Sequence, residues 1–310
     1  MRIHHLNCIS SCPLGGWLMD GRSRSPLQRG RLCCHCLLLE GERGLTLVDT
    51  GFGLNDIRHP DRLSRFFLTL LSPDFREEMT AVRQVERLGF KARDVRDIVL
   101  THLDFDHAGG LDDFPGARVH MLAAERDYAV RQKTWLDRQR FRPAQWGSRD
   151  QWQVHPSSGG EKWYGFDCVR DVPGLSSDVL MIPLPGHTFG HAGIAVRKGS
   201  GWLLLAGDAY FHHREMDPLR PGCTPGLRLY QTMMEKDRAL RLLNQHRLRQ
   251  LKKDHGVEVD VFSAHDVAEF ERLAGRAAGV GVDGAGRRPA WLHAVPRTSE
   301  GGEATRRSAP

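Results

Sequence analysis

Thr101-His102-Leu103-Asp104-Phe105-Asp106-His107-Ala108-Gly109-Gly110 is the stretch on which the reading of this chain turns. It follows directly on the apolar run Ile98-Val99-Leu100, which reads as the end of a strand. Two histidines and two aspartates fall between positions 102 and 107, and a loop at a strand end can turn all of them to one side. Histidine offers borderline nitrogen donors and aspartate hard oxygens, a mixture suited to zinc, iron or manganese. The Gly109-Gly110 pair lets the backbone turn tightly straight after the ligands.

Three further segments repeat the pattern of an apolar strand leading to a polar ligand. Leu180-Met181-Ile182-Pro183-Leu184 leads to Pro185-Gly186-His187. Trp202-Leu203-Leu204-Leu205 leads to Ala206-Gly207-Asp208, and Val259-Asp260-Val261-Phe262 leads to Ser263-Ala264-His265. A single histidine after a strand is usually a solvated or hydrogen-bonded side chain. Four such segments, one of them dense with ligands, point to a metal centre at the carboxyl ends of strands.

The set His102-x-Asp104-x-Asp106-His107, followed by His187, Asp208 and His265, resembles the metallo-β-lactamase superfamily. Asp49-Thr50-Gly51 after the second strand, and Pro185-Gly186-His187-Thr188 running on to Gly190-His191, match its pattern as well. The resemblance covers roughly residues 30–275. Within the superfamily it is closest to lactonase-type and glyoxalase-II-like hydrolases. The His107-Ala108-Gly109-Gly110 and Gly207-Asp208-Ala209 elements are most similar to N-acyl-homoserine lactonases.

What the resemblance implies is an α/β protein built as a four-layer αββα sandwich, with two divalent metal ions at one edge. The expected metal is zinc, with iron or manganese as alternatives. His102, Asp104 and His187 would form one site, Asp106, His107 and His265 the other, and Asp208 would bridge them. The implied activity is hydrolysis of an ester-type bond in a small molecule, a lactone among the candidates, by attack of a metal-bound hydroxide. Asp106 and Tyr210 are the candidate catalytic residues, Tyr210 as a hydrogen-bond donor to the developing oxyanion. Lactonases carry a tyrosine near that point, at a spacing different by one. Asp49 would accept a hydrogen bond from a ligand histidine and fix its tautomer. His191 would orient the loop that holds His187.

One position departs from the family. The usual pattern has histidine where this chain has Asp104. Two divalent cations against three carboxylates and a hydroxide make a neutral site, whereas histidine would leave one positive charge. A less positive site acidifies bound water less, and the added hard oxygen favours iron or manganese. A carboxylate here also resembles the flavodiiron branch, whose flavodoxin domain this chain has no room for. The alternative readings are therefore a mononuclear site without Asp104, an iron oxidoreductase, and a phosphodiesterase on the same fold. A non-catalytic binding protein is opposed by the filling of every other ligand position.

Around these motifs, the runs Cys36–Leu39 and Leu45–Val48 predict a hairpin, and Glu77–Leu88 an amphipathic helix capped by Gly89. Strands are expected at 95–100, 117–122, near 179–184, 192–197, 202–206 and 257–262. Residues 123–175 read as a helix followed by an inserted, loop-rich cover. Its tryptophans at 135, 146, 152 and 163 either line a pocket or pin the insertion down. A long helix is expected over about 227–252 and a closing one over 267–274, capped by Asp266. The folded domain is taken as residues 1–276. The tail 277–310, rich in Gly, Ala, Arg, Ser and Pro, is expected to be disordered.

Composition limits the remaining function classes. The chain has 310 residues, 40% hydrophobic and 26% charged, a globular balance. No apolar run reaches the roughly 18 residues of a membrane span. The N-terminus lacks the apolar stretch of a signal peptide, so the expected location is the cytoplasm. A net charge of +6 comes from interspersed residues without a basic stripe, so no nucleic-acid partner is expected. Seven cysteines, five of them at positions 8, 12, 33, 34 and 36, read as reduced buried thiols rather than a zinc knuckle. His212 and His213 read as exposed loop histidines.

Overall fold

The computed structural model describes residues 1–147 and 149–279, and within them twelve strands form two six-stranded sheets. The first sheet follows chain order: β1 (Arg2–Asn7), β2 (His35–Gly41), β3 (Gly44–Val48), β4 (Val95–Val99), β5 (Arg118–Leu122) and β6 (Trp152–His155). The second contains β7 (Glu161–Trp163), β8 (Phe166–Asp171), β9 (Val179–Pro183), β10 (Ala192–Lys198), β11 (Gly201–Leu205) and β12 (Val259–Phe262), in the order β12-β11-β10-β9-β8-β7.

Side-chain alternation decides how the sheets stack. Leu37 and Leu39 of β2 join Leu203 and Leu205 of β11 in a core between the sheets. Their neighbours in sequence point the other way. Cys36 and Leu38 pack with Ala81, Val82 and Val85 of the helix Ala81–Arg87. Trp202 and Leu204 pack with Leu248 and Leu251 of the helix Arg238–His255. Each sheet therefore buries both faces, and the molecule is a four-layer αββα sandwich.

Strand direction positions the site. β3 and β4 are parallel neighbours, so Asp49 and the 101–110 loop leave one edge together. β9 and β11 are both antiparallel to β10, and β12 is parallel to β11. The loops carrying His187, Asp208 and His265 therefore also emerge at a single edge. A hydrogen bond from Ala192 N to Thr101 O, 2.9 Å long, joins the two sheets there.

Several expectations need correction. The 123–175 segment is no insertion: after the helices Ala123–Arg131 and Trp135–Arg140, it supplies β6 to one sheet and β7 and β8 to the other. Trp146 and Trp152 pack against the first sheet and Trp163 against Trp202, so these rings serve packing. The long helix is two, Pro225–Met234 and Arg238–His255. The break lets Lys236 N and Asp237 N both donate to Gly186 O, beside His187. The helix expected from Glu77 starts at Ala81, after a 3-10 turn over Glu77–Met79.

Strand β1 was not foreseen, because its His4-His5 pair breaks the apolar pattern. Cys8, Cys12, Cys33, Cys34 and Cys36 are buried and free. Among the described residues no helix is long and apolar enough to cross a membrane. The expectation for the tail lies, beyond residue 279, outside the described residues.

Candidate metal centre

The structure gathers all seven expected ligands. His102, Asp104, His187 and Asp208 offer donor atoms within 4.8 Å of one another, and Asp106, His107 and His265 form an adjacent set. All seven are buried. Asp208 stands between the sets. Its Oδ2 lies 3.3 Å from His187 Nε2 and 3.8 Å from His102 Nε2, and its Oδ1 lies 3.3 Å from His107 Nε2 and 3.1 Å from His265 Nε2. Burial opposes ionisation of Asp208, but His265, His107 and His187 around it hold its carboxyl well below the usual range.

Outer partners fix the imidazoles. His107 Nδ1 lies 2.8 Å from Asp49 Oδ2 and His265 Nδ1 lies 2.8 Å from Cys33 O, so both donate outward. Thr101 Oγ1 donates to Asp49 Oδ2 and is left to accept from His102 Nδ1 at 2.9 Å. In all three rings the Nε2 lone pair is thereby turned into the cluster.

Three buried atoms of the ligand residues, His102 Nε2, His187 Nδ1 and Asp208 Oδ1, have no hydrogen-bond partner, and the first and last face the cluster. Buried polar groups are nearly always paired. Lone pairs that face one another with no proton between them are what a cation satisfies, and around Asp208, His102, His107 and His265 the residues fit divalent metal ions.

Neighbouring contacts tie the loops together. His191 Nε2 accepts from Asp208 N at 2.9 Å and its Nδ1 donates to Leu184 O at 3.1 Å, so this ring spans two ligand loops. Burial holds it neutral, with its pKa near 3. A Cβ on Gly207 would come within 2.6 Å of His191 Nε2, and Gly207 also has φ +53°. Gly109 is needed for close approach rather than for a turn: a Cβ there would meet Asp56 Oδ2 at 2.4 Å and Gly51 O at 2.7 Å. Glu125 bridges the loops of His102 and His187, accepting from Leu103 N at 2.8 Å and from Thr188 Oγ1.

Tyr210 is placed elsewhere. Its ring is fully buried and its hydroxyl donates to both oxygens of Glu269 at 3.0 Å, so no donor remains for an oxyanion. Phe211 takes the place beside the ligands, stacked on His265 with ring centroids 5.2 Å apart. Tyr230, from the helix Pro225–Met234, packs against Phe211 at 5.6 Å. Burial, then the charges of Asp106, Asp208 and Asp104, push its phenol well above its usual range. Nothing in the sequence singled out Tyr230, which sits in an ordinary amphipathic helix.

Arg140 was missed as well. It is fully buried, and its Nε donates to Asp104 Oδ1 at 2.7 Å while Nη2 donates to Asp104 Oδ2. His212 is buried rather than exposed, and the half-buried His213 pairs with Asp266, which caps the helix Val267–Ala274.

Glu269 supplies a pH test of the packing behind the centre. Burial pushes its carboxyl up to about 8, from an ordinary 4.5. The protonated form is thus the one that the fold accommodates. Its contribution to stability is complete below the ordinary value and is lost as pH rises through about 8. Glu269→Gln keeps the shape without the charge. The melting temperature of the variant should therefore gain on the wild type as pH is raised from about 5 to about 9. A constant difference across that range would refute the assignment.

Comparison with known proteins agrees with this geometry. Residues 29–248 match the model of the metallo-beta-lactamase superfamily. A probable metallo-hydrolase of Mycobacterium tuberculosis is 37% identical over 266 residues, covering 86% of this chain and 80% of that protein. An N-acyl homoserine lactonase of Bacillus cereus is 29% identical over 205 residues, covering 64% and 74%. Among solved structures, an N-acyl homoserine lactone hydrolase with N-hexanoyl-L-homoserine at its catalytic metal centre superposes with a TM-score of 0.61 at 22% identity. That match covers 87% of this chain and 95% of the other. The dizinc quorum-quenching lactonase AidC gives 0.56 at 18% identity, covering 86% and 89%. With most of its length inside the family match and its ligand positions filled, the chain is a metallo-hydrolase of the metallo-β-lactamase superfamily.

Proposed function

We propose that this protein hydrolyses an ester-type bond in a small apolar substrate, with a lactone as the first candidate. The observation that carries the reading is the pair of ligand sets sharing Asp208, with unpartnered donor atoms turned inward. Two bound metal ions would supply an acidified water and polarisation of the substrate carbonyl. His102, Asp104 and His187 would hold one ion, Asp106, His107 and His265 the other, and Asp208 both.

The chain's other residues supply positioning and shape. Asp49, Thr101 and the Cys33 carbonyl hold three imidazoles in register. Phe105, Phe211, Phe67 and Met234 belong to one apolar cluster that reaches the ligand loops. The Tyr230 phenol, which feels the charges of Asp106, Asp208 and Asp104, is our candidate donor to an oxyanion. The relatives named as N-acyl homoserine lactonases support the lactone.

The test is a hydrolysis screen of N-acyl homoserine lactones, simple lactones and aryl esters with zinc-, manganese- and iron-loaded protein. Ring opening of an acyl lactone, abolished by a chelator, is expected. Turnover of phosphodiesters with none of lactones or esters would sink the reading.

A further inference from the structure

Arg140 has no counterpart in the ligand pattern, yet it touches that pattern more closely than any other cation among the described residues. It ends the helix Trp135–Arg140, whose start is fixed by a reciprocal cap between Thr134 and Asp137. Its side chain is fully buried and forks onto Asp104. Nη1 donates to Met234 O at 2.6 Å, and Nη2 lies 2.8 Å from His187 Nε2. The backbone reinforces the pair, since Phe105 N donates to Arg140 O at 3.2 Å. Arg140 therefore engages two of the four donors of the His102 set. Asp106, His107 and His265 receive no hydrogen bond or ion pair from it.

Two consequences follow from charge and geometry. A buried carboxylate in place of a neutral ligand destabilises the fold unless it is paired, and Arg140 pairs it. The guanidinium also restores the single positive charge that Asp104 removes from a dinuclear site. The same fork, however, occupies lone pairs that a cation in the His102 set requires.

We infer that Arg140 is a positioning and selectivity residue that makes the two metal positions unequal. A divalent ion fills the Asp106–His107–His265 set first. The second ion binds only in competition with the guanidinium for Asp104 and His187. This rests on the reading of the centre as a dinuclear metal site and not on the bond that it hydrolyses.

The test is zinc titration of the full-length apoprotein against a chromophoric chelator, using wild type, Arg140→Gln and the double variant Asp104→His with Arg140→Leu. In the wild type, the second equivalent is expected to bind at least about tenfold more weakly than the first. In Arg140→Gln the second equivalent should tighten about tenfold or more, opposite in sign to the usual 10–100-fold loss when an outer partner is removed. The double variant removes the buried charge pair and should bind two equivalents of similar affinity. It decides the matter alone if Arg140→Gln does not fold. Two equal equivalents in the wild type, or a second equivalent that weakens or stays put in the variants, would overturn the inference. Protein that binds no zinc at all would overturn the dinuclear reading with it.

Discussion

Asp208→Ala should cost the protein both metal positions at once. One oxygen of Asp208 faces His187 and His102 at 3.3 and 3.8 Å, and the other faces His107 and His265 at 3.3 and 3.1 Å. Among the described residues no other carboxylate spans the two sets. Without it, four imidazoles converge with no anion at their centre, and each set loses its shared donor. Asp106→Ala is the control, because Asp106 belongs to one set only.

The expected loss of metal affinity on Asp208→Ala exceeds about 100-fold, more than an outer-shell replacement costs. Hydrolysis should fall with it. A readout independent of turnover is the rise in melting temperature on adding zinc, since a ligand that binds only the folded state stabilises it by mass action. That rise should be large in the wild type, reduced in Asp106→Ala and absent in Asp208→Ala. If Asp208→Ala keeps two metals and the full thermal shift, Asp208 is not the bridge.

How much of this was legible in the sequence depended on whether a signal is local. The His102–His107 cluster lies within one loop, and the strands before His187, Asp208 and His265 are short apolar runs, so residue order alone marked them. The hairpin of β2 and β3 and the closing helix were visible for the same reason. Of the edge strands, β12 was visible, but β1, β6 and β7 were not. β6 and β7 alternate weakly, with exposed Gln153, Glu161 and Lys162, because only part of an edge strand needs burial. The break between the two late helices was hidden because Lys236 and Asp237 are ordinary helix residues. Their service to the Gly186 carbonyl is a tertiary contact.

Arg140 was illegible for a sharper reason. It sits among Arg138 and Arg142 in a polar segment, where composition predicts three solvated arginines. Only the fold shows that one of them reaches inward to Asp104. The departure at Asp104 was nevertheless a usable signal: a buried carboxylate in place of a neutral ligand demands a cation nearby.

The two tyrosines near the centre provide the remaining large effect, and they separate position in sequence from position in space. Tyr210 follows Asp208 closely, but its strand exit turns the ring into the layer behind the site, where its hydroxyl is spent on Glu269. Tyr230 lies 20 residues further along the chain in a different element, yet it packs on Phe211, whose ring lies on the ligand His265. A donor that meets charge only as it develops acts on turnover more than on binding.

Tyr230→Phe should therefore lower kcat by about 100-fold, the scale for losing one oxyanion donor. Metal content and KM should change little. Tyr210→Phe should leave kcat near the wild-type value. It should lower stability by about 1–3 kcal/mol, because the buried Glu269 loses a hydrogen-bond partner. The pair is informative because both changes delete a single hydroxyl from a buried ring. Equal loss of kcat in the two variants would mean that the hydroxyl of Tyr230 has no special role and that repacking accounts for the effect. A loss confined to Tyr210→Phe would return the oxyanion to the residue that sequence order favours, and would require the Tyr210–Glu269 contact to open during turnover.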